Sequence, residues 1–318
     1  MTHRHVFGPV LSSRLGRSLG LDLLGAKVCT QDCVYCECGT TRRLTLERGP
    51  CVPAGEILAE LAAWREAGLP APDCVTLGGS GEPTLNSGLP EVIAGAKALF
   101  PGLPVAVLTN STLLFDPVVR RELSAADIVL PSLDSLVLDE FEALCRPHRM
   151  LCLAELSKGL LTFRQEFAGR LYLEVFLARG INDSEANLRL LRRFCAELAP
   201  DRVDVVTLTR PGTERSVEPA DAETLARFAR ELDPGRGGRA GPAEGRMVLR
   251  AGLDADLARD MLLATLARRP QTAEDLALAL ALEPGLVHRV VTRLVEDGEL
   301  VRSESRGRVF YAVPRERG

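Results

Sequence analysis

KVCTQDCVYCECG, residues 27–39, sets Cys29, Cys33 and Cys36 at the spacing C-x3-C-x2-C. Thiolates are the ligands that iron–sulfur clusters prefer. The spacing is neither the C-x2-C-x2-C of bacterial ferredoxins nor the C-x4-C-x2-C of plant-type ones. Three ligands on a four-iron cluster leave one iron open to a small molecule, much as an open coordination position marks a catalytic zinc site. Two other readings compete with a cluster: a chance group of buried cysteines, and a zinc knuckle that takes Cys38 as its fourth ligand. Zinc sites usually pair two C-x2-C units, and the chain has no second pair. The spacing points to an iron–sulfur site.

Outward from this stretch the pattern alternates. Apolar runs at 18–24, 74–79, 105–110, 127–134, 170–180 and 203–209 read as strands rich in Val and Leu. Helical spacing follows each, at 53–68, 90–100, 116–123, 150–167, 183–198 and 219–233. Ile57, Leu58, Leu61 and Trp64 mark the first helix, and Asp183 and Ser184 open the fifth at a capping position. Six β/α units in succession predict an α/β fold, a partial TIM-like (β/α)6 barrel over residues 1–233. In such sheets chemistry gathers at the C-terminal ends of strands.

Residues 234–250, dense in Gly, Pro and Arg, read as a linker. Beyond it, 251–318 gives helices at 254–269, 272–282 and 284–298, then two strands in 299–314 about a turn at Arg306-Gly307. That order predicts a winged helix-turn-helix domain. Its residues 254–318 hold ten basic and eleven acidic side chains, without the positive surplus usual for tight DNA binding. His288, Arg289 and Arg293 on the third helix, with Arg302, Arg306 and Arg308 near the wing, can still share a face. Nucleic-acid contact, recognition of a peptide or protein, and a structural appendage all remain open.

The whole chain of 318 residues carries a net charge of −4, which gives no global pull toward nucleic acid or anionic membrane. Lysine occurs only as Lys27, Lys97 and Lys158, a bias read first as codon composition. No apolar run approaches the ~20 residues of a membrane span, and the N-terminus lacks the pattern of a secretory signal. The expected compartment is the cytoplasm, with no membrane partner. Nine cysteines, three within eight residues, speak for metal or redox chemistry rather than a disulfide framework. Cys51, Cys74, Cys145, Cys152 and Cys195 read as core thiols, Cys38 as a spare ligand or structural thiol, and His3 and His5 as surface residues.

Polar residues punctuate the expected strand ends. LGGSGEPT, 77–84, is by itself either a tight turn or a place where backbone approaches a ligand closely. Asn110 and Ser111 can bond a carboxylate or a ribose hydroxyl, or end a strand in a turn. Asp134 is a strand-end carboxylate of the kind that reaches ribose. Arg146 and His148 in CRPHR, 145–149, can hold a substrate or relay a proton, or make a salt-bridged loop. Arg210 carries the same two readings.

C-x3-C-x-φ-C with Tyr35 before the last cysteine resembles the signature of the radical S-adenosylmethionine (SAM) superfamily. The flanking HVFGPVLSSRLGRSLGLDLL, 5–24, is similar to the branch of wyosine-type tRNA-modifying synthases; the archaeal members carry a second cluster from upstream cysteines, and none precedes Cys29 here. The resemblance spans roughly residues 5–215. It implies a [4Fe-4S] cluster on Cys29, Cys33 and Cys36, with the methionine amine and carboxylate of SAM on the open iron. It also implies backbone contacts to the methionine from Gly79, Gly81, Glu82 and Pro83. Asn182 in RGIND, 179–183, would contact adenosine, and the Tyr35 backbone the adenine. The implied reaction is reductive cleavage of SAM to a 5′-deoxyadenosyl radical that takes hydrogen from a substrate. It needs a one-electron donor such as flavodoxin or ferredoxin. The competing function is an iron–sulfur redox sensor that regulates transcription through the winged helix. Polar motifs at successive strand ends favour the enzyme, because a sensor needs no SAM pocket.

Overall fold

The computed structural model describes residues 4–12, 14–69, 71–233 and 255–314, with backbone alone for 255–257. The expected linker 234–250 lies outside the described residues, as does His3. The chain opens with β1 (Val6–Ser12) and β2 (Gly16–Leu21), an antiparallel pair. Two short strands frame the cysteine loop, β3 (Val28–Cys29) and β4 (Arg43–Leu44). Then follow α1 (Ala54–Glu66), β5 (Cys74–Leu77), α2 (Leu89–Leu99), β6 (Val105–Thr109), α3 (Pro117–Leu123) and β7 (Ile128–Pro131). Two helices come next, α4 (Leu138–Cys145) and α5 (Leu153–Glu166), before β8 (Arg170–Leu177), α6 (Glu185–Leu198), β9 (Arg202–Thr207) and α7 (Ala222–Leu232).

Among the described residues, seven strands join in the order β1-β2-β5-β6-β7-β8-β9. From β2 onward all neighbours are parallel, as strands separated by crossover helices must be. The sheet curls into a half-barrel, and β9 does not pair with β1. Alternation along each strand assigns the faces. Val75, Leu77, Val105, Val107, Val129, Leu171, Leu173 and Val175 are buried with Ile57, Leu61, Ile93 and Phe163 of the helices. Each such side chain contributes ~1.5–3 kcal/mol on burial. Cys74, Ala106, Ile128 and Leu130, with Leu15, Leu108 and Tyr172, form a second, smaller apolar cluster. Polar pairs accompany it: Ser18 bonds Thr76, Arg14 pairs with Glu174, and Arg202 lies 2.7 Å from Asp204. Arg14, in the β1–β2 turn, thereby ties the first strands to β8.

Two expected elements shift noticeably, and β1 and α4 were not foreseen. The strand read at 18–24 spans Gly16–Leu21, and the unforeseen β1 precedes it, its alternation diluted by Gly8 and Pro9. The helix read at 150–167 begins at Leu153, and α4 stands before it. That short helix stops at Arg146, held at φ 43°, because Pro147 follows and cannot continue it.

The C-terminal segment supplies α8 (Ala255–Leu266), α9 (Ala273–Leu280) and α10 (Pro284–Glu296), then the hairpin of β10 (Val301–Ser305) and β11 (Arg308–Ala312). Thr272 caps α9 by accepting from the Asp275 amide at 3.1 Å. Arg306 and Gly307 turn the hairpin at positive φ, 51° and 70°, as a two-residue loop of this hand demands. α8 and α9 pack on β1. The Gly8 amide donates to Thr265 Oγ1 at 3.2 Å, and Arg306 donates to the Leu208 carbonyl at 3.0 Å beyond β9. Among the described residues no helix is long and apolar enough to cross a membrane.

Candidate active site

The cysteine loop leaves β3 at Cys29 and is pinned from two sides. On one side runs the segment that ends α4. Asp32 donates to the Cys145 carbonyl at 3.1 Å, Val34 to that of Leu144 at 3.0 Å, and His148 to that of Thr30 at 2.9 Å. On the other side runs the segment after β9. Glu214 donates to the Val34 carbonyl and the Thr213 hydroxyl to that of Cys36, both at 2.9 Å. A Cβ on Gly212 would stand 2.7 Å from the Tyr35 carbonyl, so only glycine lets these two backbones meet.

All nine cysteines are free thiols. Cys29 is buried, and Cys33 and Cys36 are half-buried. The Cys38 thiol and Lys27 pull Cys36 down to about 5 against its burial, with Lys27 Nζ 3.0 Å from the sulfur. Burial works against the Lys27 charge, yet Cys36, Cys29 and Cys38 hold that ammonium above the ordinary lysine range. Burial pushes Cys29 up to about 12, and Asn110 Nδ2 lies 3.5 Å from its sulfur. Among the described residues no three His, Cys, Asp or Glu side chains converge on one point for a single ion. Cluster thiolates take separate irons, so the test of fit is the donor set: three free thiols on one loop with a cation beside them, which suits an anionic iron–sulfur cluster.

The strand-end residues lie around this loop. Gly79 follows β5 at φ 148°, and its carbonyl accepts from the Cys38 thiol at 3.0 Å. Gly81 passes so close to β3 that a Cβ would stand 1.8 Å from the Val28 carbonyl. Pro83 begins a single 3₁₀ turn, Pro83–Leu85, capped by Glu82. The buried Glu82 carboxylate accepts from the Thr84 amide at 3.1 Å, the Thr109 hydroxyl at 2.7 Å and the Asn110 amide at 2.7 Å. Asn110 donates to Thr30 Oγ1 at 2.8 Å, and the buried Ser111 hydroxyl to the Ser132 carbonyl at 2.8 Å.

Asp134 is a second hub. It accepts from the Tyr35 hydroxyl at 2.5 Å and the Phe176 amide at 3.0 Å, and burial pushes its carboxyl up. The Tyr35 ring stacks on Phe176 with centroids 3.7 Å apart. Asn182 is fully buried and donates to the Asp134 and Phe176 carbonyls at 2.8 and 2.7 Å, while accepting from the Ala178 amide at 2.8 Å. The side chains of Glu82, Asp134 and Asn182 are therefore taken up by the protein itself.

The substrate candidates separate. Arg146 pairs with Glu214 at 2.5 Å, a clasp across the two segments that pin the loop. His148 accepts the Met150 amide at 3.3 Å. Arg210 Nη1 lies 3.5 Å from Glu37, a residue of the cysteine loop. Arg269, between α8 and α9, reaches the other oxygen of Glu37 at 3.8 Å. Burial, and then the charge of Arg210, draw Arg269 below its ordinary range.

Several roles escape the sequence reading. Cys145 is buried, but it is no inert core thiol: Cys33 and then burial push it up, and it donates to Asp134 at 3.6 Å. Cys74 and Cys195 are buried as expected and Cys51 is half-buried, but Cys152 is exposed at the N-cap of α5. His5 is not a surface residue. Its side chain is 14% exposed, and its amide donates to the Glu60 carboxylate. Lys27, two residues before the first cysteine, carried the one local signal that was missed, a rare lysine next to thiols.

Comparison with known families decides the relationship. The family described as the radical SAM superfamily matches residues 24–191, more than half of the chain. The chain belongs to the radical SAM superfamily. Radical SAM membership implies an iron–sulfur cluster and SAM. A UPF0026 protein of Helicobacter pylori is 34% identical over 297 residues, covering 90% of this chain and 93% of its own length. A GTPase Obg of Brachyspira hyodysenteriae is 31% identical across 98% of this chain, which spans 45% of that protein. The crystal structure of a radical SAM methyltransferase from Sphaerobacter thermophilus shares the fold, with a TM-score of 0.50 at 22% identity. That match covers 72% of this chain and 66% of the other.

Proposed function

We propose that this protein cleaves SAM reductively at a [4Fe-4S] cluster held by Cys29, Cys33 and Cys36, and uses the product on an organic substrate. The observation that carries the reading is the doubly pinned loop of three free thiols beside Lys27. When bound, the cluster and SAM supply one-electron cleavage of a carbon–sulfur bond and a 5′-deoxyadenosyl radical that takes a substrate hydrogen. The chain's own part is placement and exclusion of water. Backbone at Gly79, Gly81, Glu82 and Pro83 is assigned to the methionine end, and that at Tyr35 to the adenine. Asn110 and Ser111 wall the pocket. Glu82, Asp134 and Asn182 act as positioning residues, since their side chains hold the strand ends together.

The three C-terminal helices and hairpin are read as a winged helix-turn-helix turned toward the barrel. Of the three wing arginines, Arg306 and Arg308 are engaged by the Leu208 carbonyl and Asp275. His288, Arg289, Arg293 and Arg302 stay exposed, and the transcription-regulator alternative has no support among the relatives. The likeness of residues 5–24 to tRNA-modifying synthases directs the search for substrate to RNA and its components. A flavodoxin or ferredoxin in the cytoplasm is the proposed electron donor, since free thiols and a reducible cluster belong to a reducing compartment.

The test is anaerobic reconstitution, reduction in the presence of SAM, and measurement of 5′-deoxyadenosine. The unaltered protein and Cys195→Ala, far along α6, are expected to form it; Cys33→Ala is expected to lose iron and form none. Full iron loading and undiminished product in Cys33→Ala would overturn the assignment.

A further inference from the structure

Arg210 follows β9 and Arg269 joins α8 to α9, so distant parts of the chain bring two guanidinium groups to one carboxylate. Glu37, their meeting point, stands between Cys36 and Cys38. The contacts are long, 3.5 Å from Arg210 and 3.8 Å from Arg269. Each guanidinium carries five N–H donors, and in both the Nε is buried without an acceptor. Buried donors left unmade are costly, so a place where two of them gather is unfinished. Among the described residues the neighbouring charges do not complete it. Arg14 pairs with Glu174 and Arg202 with Asp204. Among the described residues the group sets four guanidiniums against three carboxylates beside the cysteine loop.

We infer that Arg210 and Arg269 together bind a phosphate group of the substrate, and that Arg269 is the C-terminal segment's contribution to the active site. The inference rests on the cysteine loop being the reaction centre. Phosphate suits the pair because its several oxygens can take forks from two arginines at once. A single carboxylate already stands there as Glu37. The phosphate can come from an internal phosphodiester of RNA or from a terminal phosphate of a small nucleotide. A phosphate held here fixes the substrate relative to the loop, and the pair is complete only while α8 and α9 are docked on β1.

The experiment measures binding to the anaerobically reconstituted full-length protein by calorimetry. Inorganic phosphate is one probe, and an oligoribonucleotide without terminal phosphates is the other. Arg210→Gln and Arg269→Gln are each expected to weaken binding by about 10-fold or more, the scale of lost charged hydrogen bonds. Arg121→Gln, exposed on α3, should leave it unchanged. Arg269→Lys keeps the charge and the pairing with Glu37 but loses the fork, so it covers the case in which Arg269→Gln does not fold. An intermediate loss is expected there. Binding of the oligoribonucleotide assigns an internal phosphodiester, and binding of inorganic phosphate alone assigns a terminal one. Failure of both probes to bind, or undiminished binding in the Arg210→Gln/Arg269→Gln double variant, overturns the inference. Production of 5′-deoxyadenosine by the unaltered protein tests the earlier reading separately, because phosphate binding requires no cleavage of SAM.

Discussion

Gly81 sits where two backbones leave no room for a side chain. The Val28 carbonyl accepts the Glu82 amide at 3.1 Å, and a Cβ on Gly81 would overlap that carbonyl. A methyl group there must move β3, and Cys29 moves with it. Gly81→Ala is therefore expected to lower bound iron and SAM affinity together, measured as iron per chain after reconstitution and by SAM titration. Full iron with weakened SAM binding would instead show that the glycine serves the ligand alone. The sequence shows two or three glycines after a strand and gives no means to tell whether ligand or protein backbone fills the space. The same limit holds for Glu82. A strand-end carboxylate reads as a ligand contact until its partners, Thr84, Thr109 and Asn110, are known.

At the level of elements, the parallel strands were legible because both faces of the central ones, β5, β6 and β7, are covered. The run 105–110 is apolar and β-branched at Val105, Val107 and Thr109, and amphipathic helices such as 183–198 separate such runs. Strand β1 was not legible, since it lies at the sheet edge and its burial depends on α8 and α9. The cysteine spacing was legible as chemistry, but the segments that pin the loop were not. Leu144, Cys145, Thr213 and Glu214 act largely through backbone bonds, which side-chain identity does not reveal. Asn182 belongs to the same class. It joins the ends of β7 and β8 through carbonyls of Asp134 and Phe176. Its removal takes a donor from each, although Asn187 still donates to the Asp134 carbonyl, and strips the buried Ala178 amide of its side-chain acceptor. Asn182→Ala is expected to destabilise the fold by ~2–4 kcal/mol, seen in the denaturant midpoint. Weakened SAM binding with an unmoved midpoint would return Asn182 to the ligand.

For the molecule as a whole, the open side of the half-barrel is where the C-terminal segment earns its place. Residues 251–318 read as a separate domain because their helices are amphipathic by themselves and a Gly- and Arg-rich stretch precedes them. The contacts join them to the barrel. Arg268 Nε lies 3.3 Å from Asp22 Oδ2, with side chains 11% and 1% exposed. The approach is an ion pair, not an aligned hydrogen bond, as the buried Nε has no acceptor in line. Asp22 also accepts from the Ser80 hydroxyl at 2.5 Å and the Leu24 amide at 3.1 Å. It therefore couples the docked segment to the glycine-rich turn after β5. Removing one partner of a buried pair leaves a charge without compensation, a loss of ~3–5 kcal/mol. Arg268→Ala should lower stability by that order and speed hydrogen exchange in α8 and β1 more than in β7 and β8, because the docked edge opens before the centre of the sheet. A double-mutant cycle with Asp22→Asn separates the pair from its surroundings, with an expected coupling of ~1–3 kcal/mol. Additive effects of the two substitutions would mean that α8 and α9 are held on β1 by apolar packing alone, and that the glycine-rich turn does not sense the docked segment.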